Sequence, residues 1–345
     1  MSSSTETARA VVFGCAGESL DDWERGFFAE SRPWGFILFK RNCASPSQVR
    51  RLTAALRAAA GRPEAPVLID QEGGRVQRLQ PPQWRQAPAA AVFGRLAAQD
   101  GAAAEAACRL NARLIAVELH DLGIDVDCLP CLDVRQPDGH AVIGDRAFGG
   151  QAALVARLGR AAAEGLLAGG VLPVIKHVPG HGRARVDSHE RPPLVEADRA
   201  ELEAVDFAPF KALAELPVAM TAHVVYQAID AAAPATTSRT LVSEVIRAHI
   251  GFAGLLLSDD ISMRALAGSL GERCGAALAA GCDVILHCNG DRGEMESVAR
   301  AVKELGPEAA ARAARALAWR RAPEPFDATA AEDRLTALLA PVAAA

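Results

Sequence analysis

VLPVIKHVPGHGRARVDSHE, Val171 to Glu190, is the stretch on which the reading of this chain turns. Val171 to Ile175 is an apolar run of strand length. It breaks into Lys176-His177 and then Pro179-Gly180-His181-Gly182. A polar segment follows and ends in Asp187-Ser188-His189. Three histidines, a lysine and an aspartate thus stand between Lys176 and His189, in a chain whose only lysines are Lys40, Lys176, Lys211 and Lys303. Glycine and proline shape such a loop. Titratable groups at this density make a poor core and a good site.

The flanks repeat the pattern of an apolar run ending in polar residues. Upstream, Ala10 to Phe13 and Trp34 to Phe39 read as strands, the second ending in Lys40-Arg41-Asn42. A helix is expected over 46–60, with Ser45 as its N-cap. Pro66 to Ile69 runs into Asp70-Gln71-Glu72-Gly73-Gly74-Arg75. A helical pattern over 101–122 leads to Ile124 to Leu129, followed by Cys131-Leu132-Asp133 and a loop with Ile143 to Phe148. Helix 151–168 precedes the opening stretch. Downstream, helices over 198–215, 240–250 and 270–280 precede strands Pro217 to Met220, Gly254 to Leu257 and Asp283 to Leu286. Helical patterns over 293–319 and 329–340 close the chain.

Eight strands alternating with helices predict a parallel sheet and, by their number, an α/β fold of the single-domain (β/α)8 TIM-barrel type. An open doubly wound sheet is the competitor, but no GxGxxG follows the first strand. The barrel is expected over 1–322. Pro323-Glu324-Pro325 opens a linker and C-terminal helical tail, 323–345, packed on the barrel or trailing from it. Asp70, Asp133, Lys176, His177, His223, Asp259 and His287 all follow apolar runs, where a barrel gathers its catalytic groups.

Composition narrows the class. The chain has 345 residues, half of them hydrophobic, and a net charge of −5. The lack of a basic excess argues against nucleic acid as partner. No apolar run approaches the roughly 18 residues needed to span a bilayer, and the start lacks the features of a secretory signal. With eight cysteines mostly in apolar runs, where they act as small hydrophobes, this favours the cytoplasm. Cys128 and Cys131 form a CxxC without the second pair a zinc set needs. No obligate protein partner is evident.

Asp259 is the leading nucleophile candidate, since Leu255-Leu256-Leu257 delivers it to a strand end and a carboxylate can attack an anomeric carbon. Neighbours in an extended segment face opposite ways, so Asp260 is expected to cap the following helix. Asp187 and His189 form either an acid/base dyad, the carboxylate holding the imidazole in one tautomer, or part of a surface loop in which Asp187 bonds backbone N–H groups. Lys176 and His177 either donate to sugar hydroxyls or serve the core, Lys176 as an ion pair with a barrel aspartate and His177 as a satisfied histidine. His181, between two glycines, is open to a role in shaping the loop. Asp70, Arg75, Arg78 and Arg146 fit a polar grip on hydroxyls, with one arginine open to pairing with Asp145. A zinc hydrolase using His177, His181, His189 and His223 is the metal alternative, without an HExxH or strand-end HxH signature.

Together the motifs resemble the single-domain β-N-acetylhexosaminidases of glycoside hydrolase family 3. The matching segments are IDQEGGRVQRL (69–79), VIGDRAFG (142–149), VIKHVPGHG (174–182) with DSH (187–189), MTAHVVY (220–226) and LSDDISM (257–263). GFILFKRN and AGCDVILHCNG extend the likeness toward both ends. The resemblance implies a retaining exo-glycosidase, with no metal or other cofactor, that removes terminal β-linked N-acetylglucosamine from anhydromuropeptides in the cytoplasm during cell-wall recycling. It implies Asp259 as nucleophile and His189 as general acid/base with Asp187 as its partner. Asp70, Arg78, Arg146, Lys176 and His177 would bind the sugar, and Arg75 would be structural. A phosphorylase of the same family is a rival, because an uncharged histidine base does not repel phosphate; a non-catalytic sugar-binding module is another. One departure is visible: RARVD, 183–187, stands where the family often has a threonine-containing segment, which bears on loop motion.

Overall fold

Eight parallel strands close into a barrel in the computed structural model, which describes residues 8–186 and 193–342. They are β1 (Arg9–Gly14), β2 (Pro33–Leu38), β3 (Val67–Ile69), β4 (Val126–Asp127), β5 (Leu172–Val178), β6 (Val218–Thr221), β7 (Leu255–Asp260) and β8 (Val284–His287). Each pairs with its neighbours in chain order. β8 returns to β1 through Val11 opposite Ile285 and Phe13 opposite His287, so the barrel has no open edge. The eight apolar runs are these strands. Their side chains are buried from both directions, by the barrel interior and by the surrounding helices, which explains why most of them lack polar alternation; the fourth, with Asp125 and Asp127, is the exception.

The helices depart from the expected pattern where local chemistry overrides periodicity. Ser45 caps helix Pro46–Ala59 as expected. Helix Asp22–Ser31, not anticipated, follows a capping box in which Asp21 and Glu24 exchange bonds with each other's backbone N–H. Helix Ala90–Ala97 was likewise not anticipated. The stretch 198–215 is not one helix. Residues Arg199–Glu201 give way to a wide π turn at Leu202–Asp206 and a short helix at Ala208–Ala212. Pro209 has no N–H to give the preceding turn, and its ring crowds it. The expected helix 293–319 is two, Arg292–Ala301 and Pro307–Leu317. Between them the backbone turns to serve the sheet: Ala10 N–H donates to Lys303 O and Leu305 N–H to Ala8 O, each at 2.9 Å.

Near the C-terminus, helix Ala328–Leu339 packs against helix Gly101–Asp121. Arg113 ties down the segment that leads to it, donating to Glu324 O and lying 4.7 Å from the centre of the Phe326 ring. No helix among the described residues is long and apolar enough to cross a membrane.

Two irregularities position the site. The β5–β6 register shifts between Ile175 and Val178, across Lys176 and His177. The β7–β8 register shifts between Leu257 and Asp260, across Ser258 and Asp259. Such bulges re-aim side chains at a barrel rim.

Candidate active site

The C-terminal ends of the strands enclose a cavity of about 350 Å³. Asp70 comes from the end of β3, Lys176 and His177 from β5, Asp259 and Asp260 from β7. Arg78 and Arg146 reach in from the loops after β3 and β4. Phe39, Met220, Met263 and Leu286 supply apolar wall.

The floor is a continuous ionic network. Lys176 Nζ donates to Asp70 Oδ1 at 2.8 Å and lies 2.7 Å from Glu72 Oε1. Arg78 Nη2 bonds the other Asp70 oxygen at 2.9 Å, and Arg146 grips Glu72 with two bonds, 2.8 and 2.9 Å. Lys176 is 2% exposed, so this network works at low effective dielectric, where each pairing is strong and each loss costly. Burial alone would raise the Asp70 carboxyl, but Lys176 and Arg78 outweigh it and hold it well below the usual carboxylate range. Burial likewise opposes ionisation of Glu72, and Arg146 and Lys176 bring it down to about 2. The core reading of Lys176 holds, since it pairs with a barrel aspartate, and the same side chain lines the cavity.

Glu72 is the residue that motif reading passed over. It stands two residues after Asp70 in an extended segment, so the two share a face. That spacing was the available signal.

His177 is fixed from behind. Its Nδ1 lies 2.7 Å from Asp133 Oδ2, and Asp133 Oδ1 accepts the backbone N–H groups of His177 and His181 at 3.2 and 2.7 Å. His177 Nε2 is left toward Arg146, 3.5 Å away, on the cavity side. Burial pushes the Asp133 carboxyl up, yet His177 and the other donors hold it well below its ordinary value. Replacing Asp133 with Asn keeps the shape but removes the charge behind three N–H groups. Asp133→Asn is expected to cost about 2 kcal/mol, the scale of a hydrogen bond to a charged partner. Urea unfolding at neutral pH checks it, and an unchanged midpoint would contradict it.

Asp259 faces the cavity near the end of β7. Burial would raise its carboxyl, but His223, His177, the Asp260 N–H and Lys176 bring it below its usual value, so it is ionised at neutral pH. Asp260 does not cap a helix as expected. It holds the turn after β7, accepting from Ser262 N–H at 3.1 Å, the Ser262 hydroxyl at 2.8 Å and Cys288 N–H at 3.3 Å. The reason is that 261–266 forms turns rather than a helix.

Other strand-end candidates turn away. His223 is buried, with Nδ1 2.7 Å from Thr236 Oγ1 and Nε2 2.9 Å from Asp260 O. His287 is buried edge-on to Phe13 and lies 3.2 Å from Glu294. Arg75 does line the cavity, yet it pairs with Asp145 at 2.9 Å and donates to the Ala141 and Val142 carbonyls, one of the roles left open for an arginine here. Cys128 and Cys131 are free and buried. Cys131, Asp133 and His177 come close enough to hold a metal ion. Their atoms are already spent on one another, and burial with the Asp133 charge holds the Cys131 thiol far above its ordinary value. Asp187 and His189 lie outside the described residues.

The sequence profile of the glycosyl hydrolase family 3 N-terminal domain matches residues 29–318. The chain belongs to glycosyl hydrolase family 3. This family 3 hydrolase is 41% identical over 283 residues to a beta-hexosaminidase of Alkalilimnicola ehrlichii, a span of 81% of this chain and 80% of that one. It is 40% identical, over 81% and 83% of the two chains, to a beta-hexosaminidase of Xanthomonas axonopodis pv. citri. Among solved structures, NagZ of Neisseria gonorrhoeae in complex with N-trifluoroacetyl-D-glucosamine aligns over 96% of this chain and 98% of its own. Its TM-score is 0.87 and its identity 32%. A family 3 beta-N-acetylglucosaminidase from Paenibacillus sp. aligns at TM-score 0.82 and 30% identity; this chain spans 63% of that longer protein. The family 3 hydrolase is a glycoside hydrolase built on a single (β/α)8 barrel.

Proposed function

We propose that this hydrolase is a retaining exo-β-N-acetylglucosaminidase that removes one terminal, non-reducing, β-linked N-acetylglucosamine at a time. The observation that carries the reading is the ionised Asp259 facing the Asp70–Lys176–Glu72–Arg146 network across one small cavity. At about 350 Å³ the cavity is near the lower end of ligand sites, roughly 300–1,000 Å³, which suits one sugar ring. Asp70, Arg78, Arg146, Lys176 and His177 grip the ring hydroxyls. The beta-hexosaminidase relatives and the N-trifluoroacetyl-D-glucosamine complex of the gonococcal protein support the acetamido sugar.

Catalysis then runs as a double displacement. The Asp259 carboxylate attacks C1 while the His189 imidazolium, held by Asp187, gives its proton to the departing glycosidic oxygen. The C1–O bond breaks and a glycosyl ester on Asp259 forms. Neutral His189 next takes a proton from water, the water oxygen bonds C1, and Asp259 leaves as carboxylate. The substrate class is anhydromuropeptide, handled in the cytoplasm during cell-wall recycling. The chain needs no metal or other cofactor for these steps and no obligate protein partner.

An aryl β-N-acetylglucosaminide tests the reading directly. Free N-acetylglucosamine should form at a rate indifferent to inorganic phosphate and to a chelator. A sugar 1-phosphate product would overturn hydrolysis in favour of phosphorolysis, and loss of rate on chelation restored by zinc would overturn the metal-free chemistry. The role of His189 has its own test. His189→Ala should slow substrates with poor alkoxide leaving groups by about 10²–10⁴-fold, and activated aryl substrates far less in the glycosylation step. Equal losses for both would count against proton donation.

A further inference from the structure

Asp127 is a buried carboxyl group that the double displacement does not use. It sits on β4 beneath the sugar-binding floor and is fully buried. Its Oδ1 accepts the Gln71 N–H at 3.0 Å, while Oδ2 is buried without a hydrogen-bond partner among the described residues. The charged groups that face it are Lys176 from β5 and Asp70 and Glu72 from the segment after β3; Cys128 follows it on its own strand.

Around the floor the cations are already engaged by other carboxylates. Lys176, Arg78 and Arg146 stand against Asp70, Glu72 and Asp259. A further carboxylate at 127 would be a buried negative charge with no cation of its own. Lys176 gives two of its three N–H groups to Asp70 and Glu72. The third serves the sugar in the function proposed above, on which this inference rests.

We propose that Asp127 is a positioning residue for the sugar grip: as a neutral carboxylic acid it leaves Lys176 to Asp70, Glu72 and the sugar, and on losing its proton it draws Lys176 away from them. The protonation state agrees with its surroundings. Burial pushes the carboxyl up to about 8, against the pull of the Gln71 N–H and Lys176 and with Asp70 and Glu72 adding to the rise. The acid is therefore neutral at pH 7 and ionises on the alkaline side. Sugar binding should weaken there.

N-acetyl-D-glucosamine, which is uncharged throughout, is the probe, titrated calorimetrically into the full chain between about pH 6.5 and 9.5. The parent should lose about tenfold in affinity toward pH 9.5, while Asp127→Asn and Asp127→Ser should stay within about twofold across the same range. A parent affinity that is flat with pH, or variants that weaken in parallel with it, would overturn the proposal. A parent that binds no sugar at any pH would refute the sugar-grip reading and this role with it. The protonation state is read separately from melting curves. An acid that holds its proton more tightly when folded stabilises the fold fully below the ordinary carboxyl value of about 4 and loses that stabilisation as pH rises through the folded value. The melting temperature of Asp127→Asn should thus gain on the parent's between about pH 5 and 8, and a constant gap would overturn the neutral acid even where sugar still binds.

Discussion

Asp259→Asn should leave a folded protein that has lost turnover by roughly three to six orders of magnitude in kcat, the scale of removing a covalent nucleophile. An amide oxygen cannot form the glycosyl ester, so the first step has no path. The substitution is close to isosteric, and the short bond from Asp260 N–H to Asp259 Oδ1, 2.8 Å, can be kept by the asparagine oxygen. Asp259 anchors none of the floor: Asp70, Glu72, Lys176, Arg78 and Arg146 hold one another without it. The variant should therefore bind N-acetylglucosamine with an affinity of the same order as the parent. Lost turnover with retained binding and an unchanged melting curve is the expected combination. Near-normal turnover would sink the nucleophile assignment.

Lys176→Met should be the most destabilising single change at the site. It removes the cation that Asp70 and Glu72 share and leaves two buried carboxylates facing each other. Loss of one partner from a buried ion pair costs about 3–5 kcal/mol, because the remaining charge is unpaid for by solvent. Arg78 and Arg146 still hold the outer oxygens, so the fold should survive at reduced stability. The pH dependence carries the sign. In the parent both carboxyls are depressed by the cations, so their stabilising contribution is present above the unfolded value of about 4 and is lost as pH falls through the folded values. In the variant the lost pairing matters most at neutral pH, and the gap from the parent should shrink on acidification as a carboxyl takes a proton. Denaturant unfolding at pH 7 and near pH 4.5 checks this. Equal stability of the two proteins at pH 7, or a gap that widens in acid, would contradict it.

The sequence made the barrel legible because parallel strands buried on both sides leave largely apolar runs, and β1 to β8 fall in those runs, with Asp125 and Asp127 interrupting the fourth. It made Asp70, Lys176, His177 and Asp259 legible because each closes such a run. His223 and His287 close runs too, yet Thr236 and Glu294 draw them into the wall. Position along a strand fixes depth in the barrel, and only the partner decides which way the ring faces. Glu72 was hidden behind Asp70 although the two-residue spacing marks a shared face. Asp127 was hidden by its setting, since an acid inside an apolar strand gives no sign of whether it is charged. The helix breaks at Pro209 and at 302–306 show the remaining gap: periodicity describes a helix alone, while the π turn and the pairing of Lys303 and Leu305 with the start of β1 come from the chain around it.

A covalent glycosyl–Asp259 intermediate dictates the anomeric form of the first product. Hydrolysis of an aryl β-N-acetylglucosaminide by the full chain, followed by proton NMR before mutarotation sets in, should show the β-anomer of N-acetylglucosamine appearing first, with the α-anomer growing later at the uncatalysed rate. Initial release of the α-anomer would mean a single displacement by water and would contradict the account of Asp259.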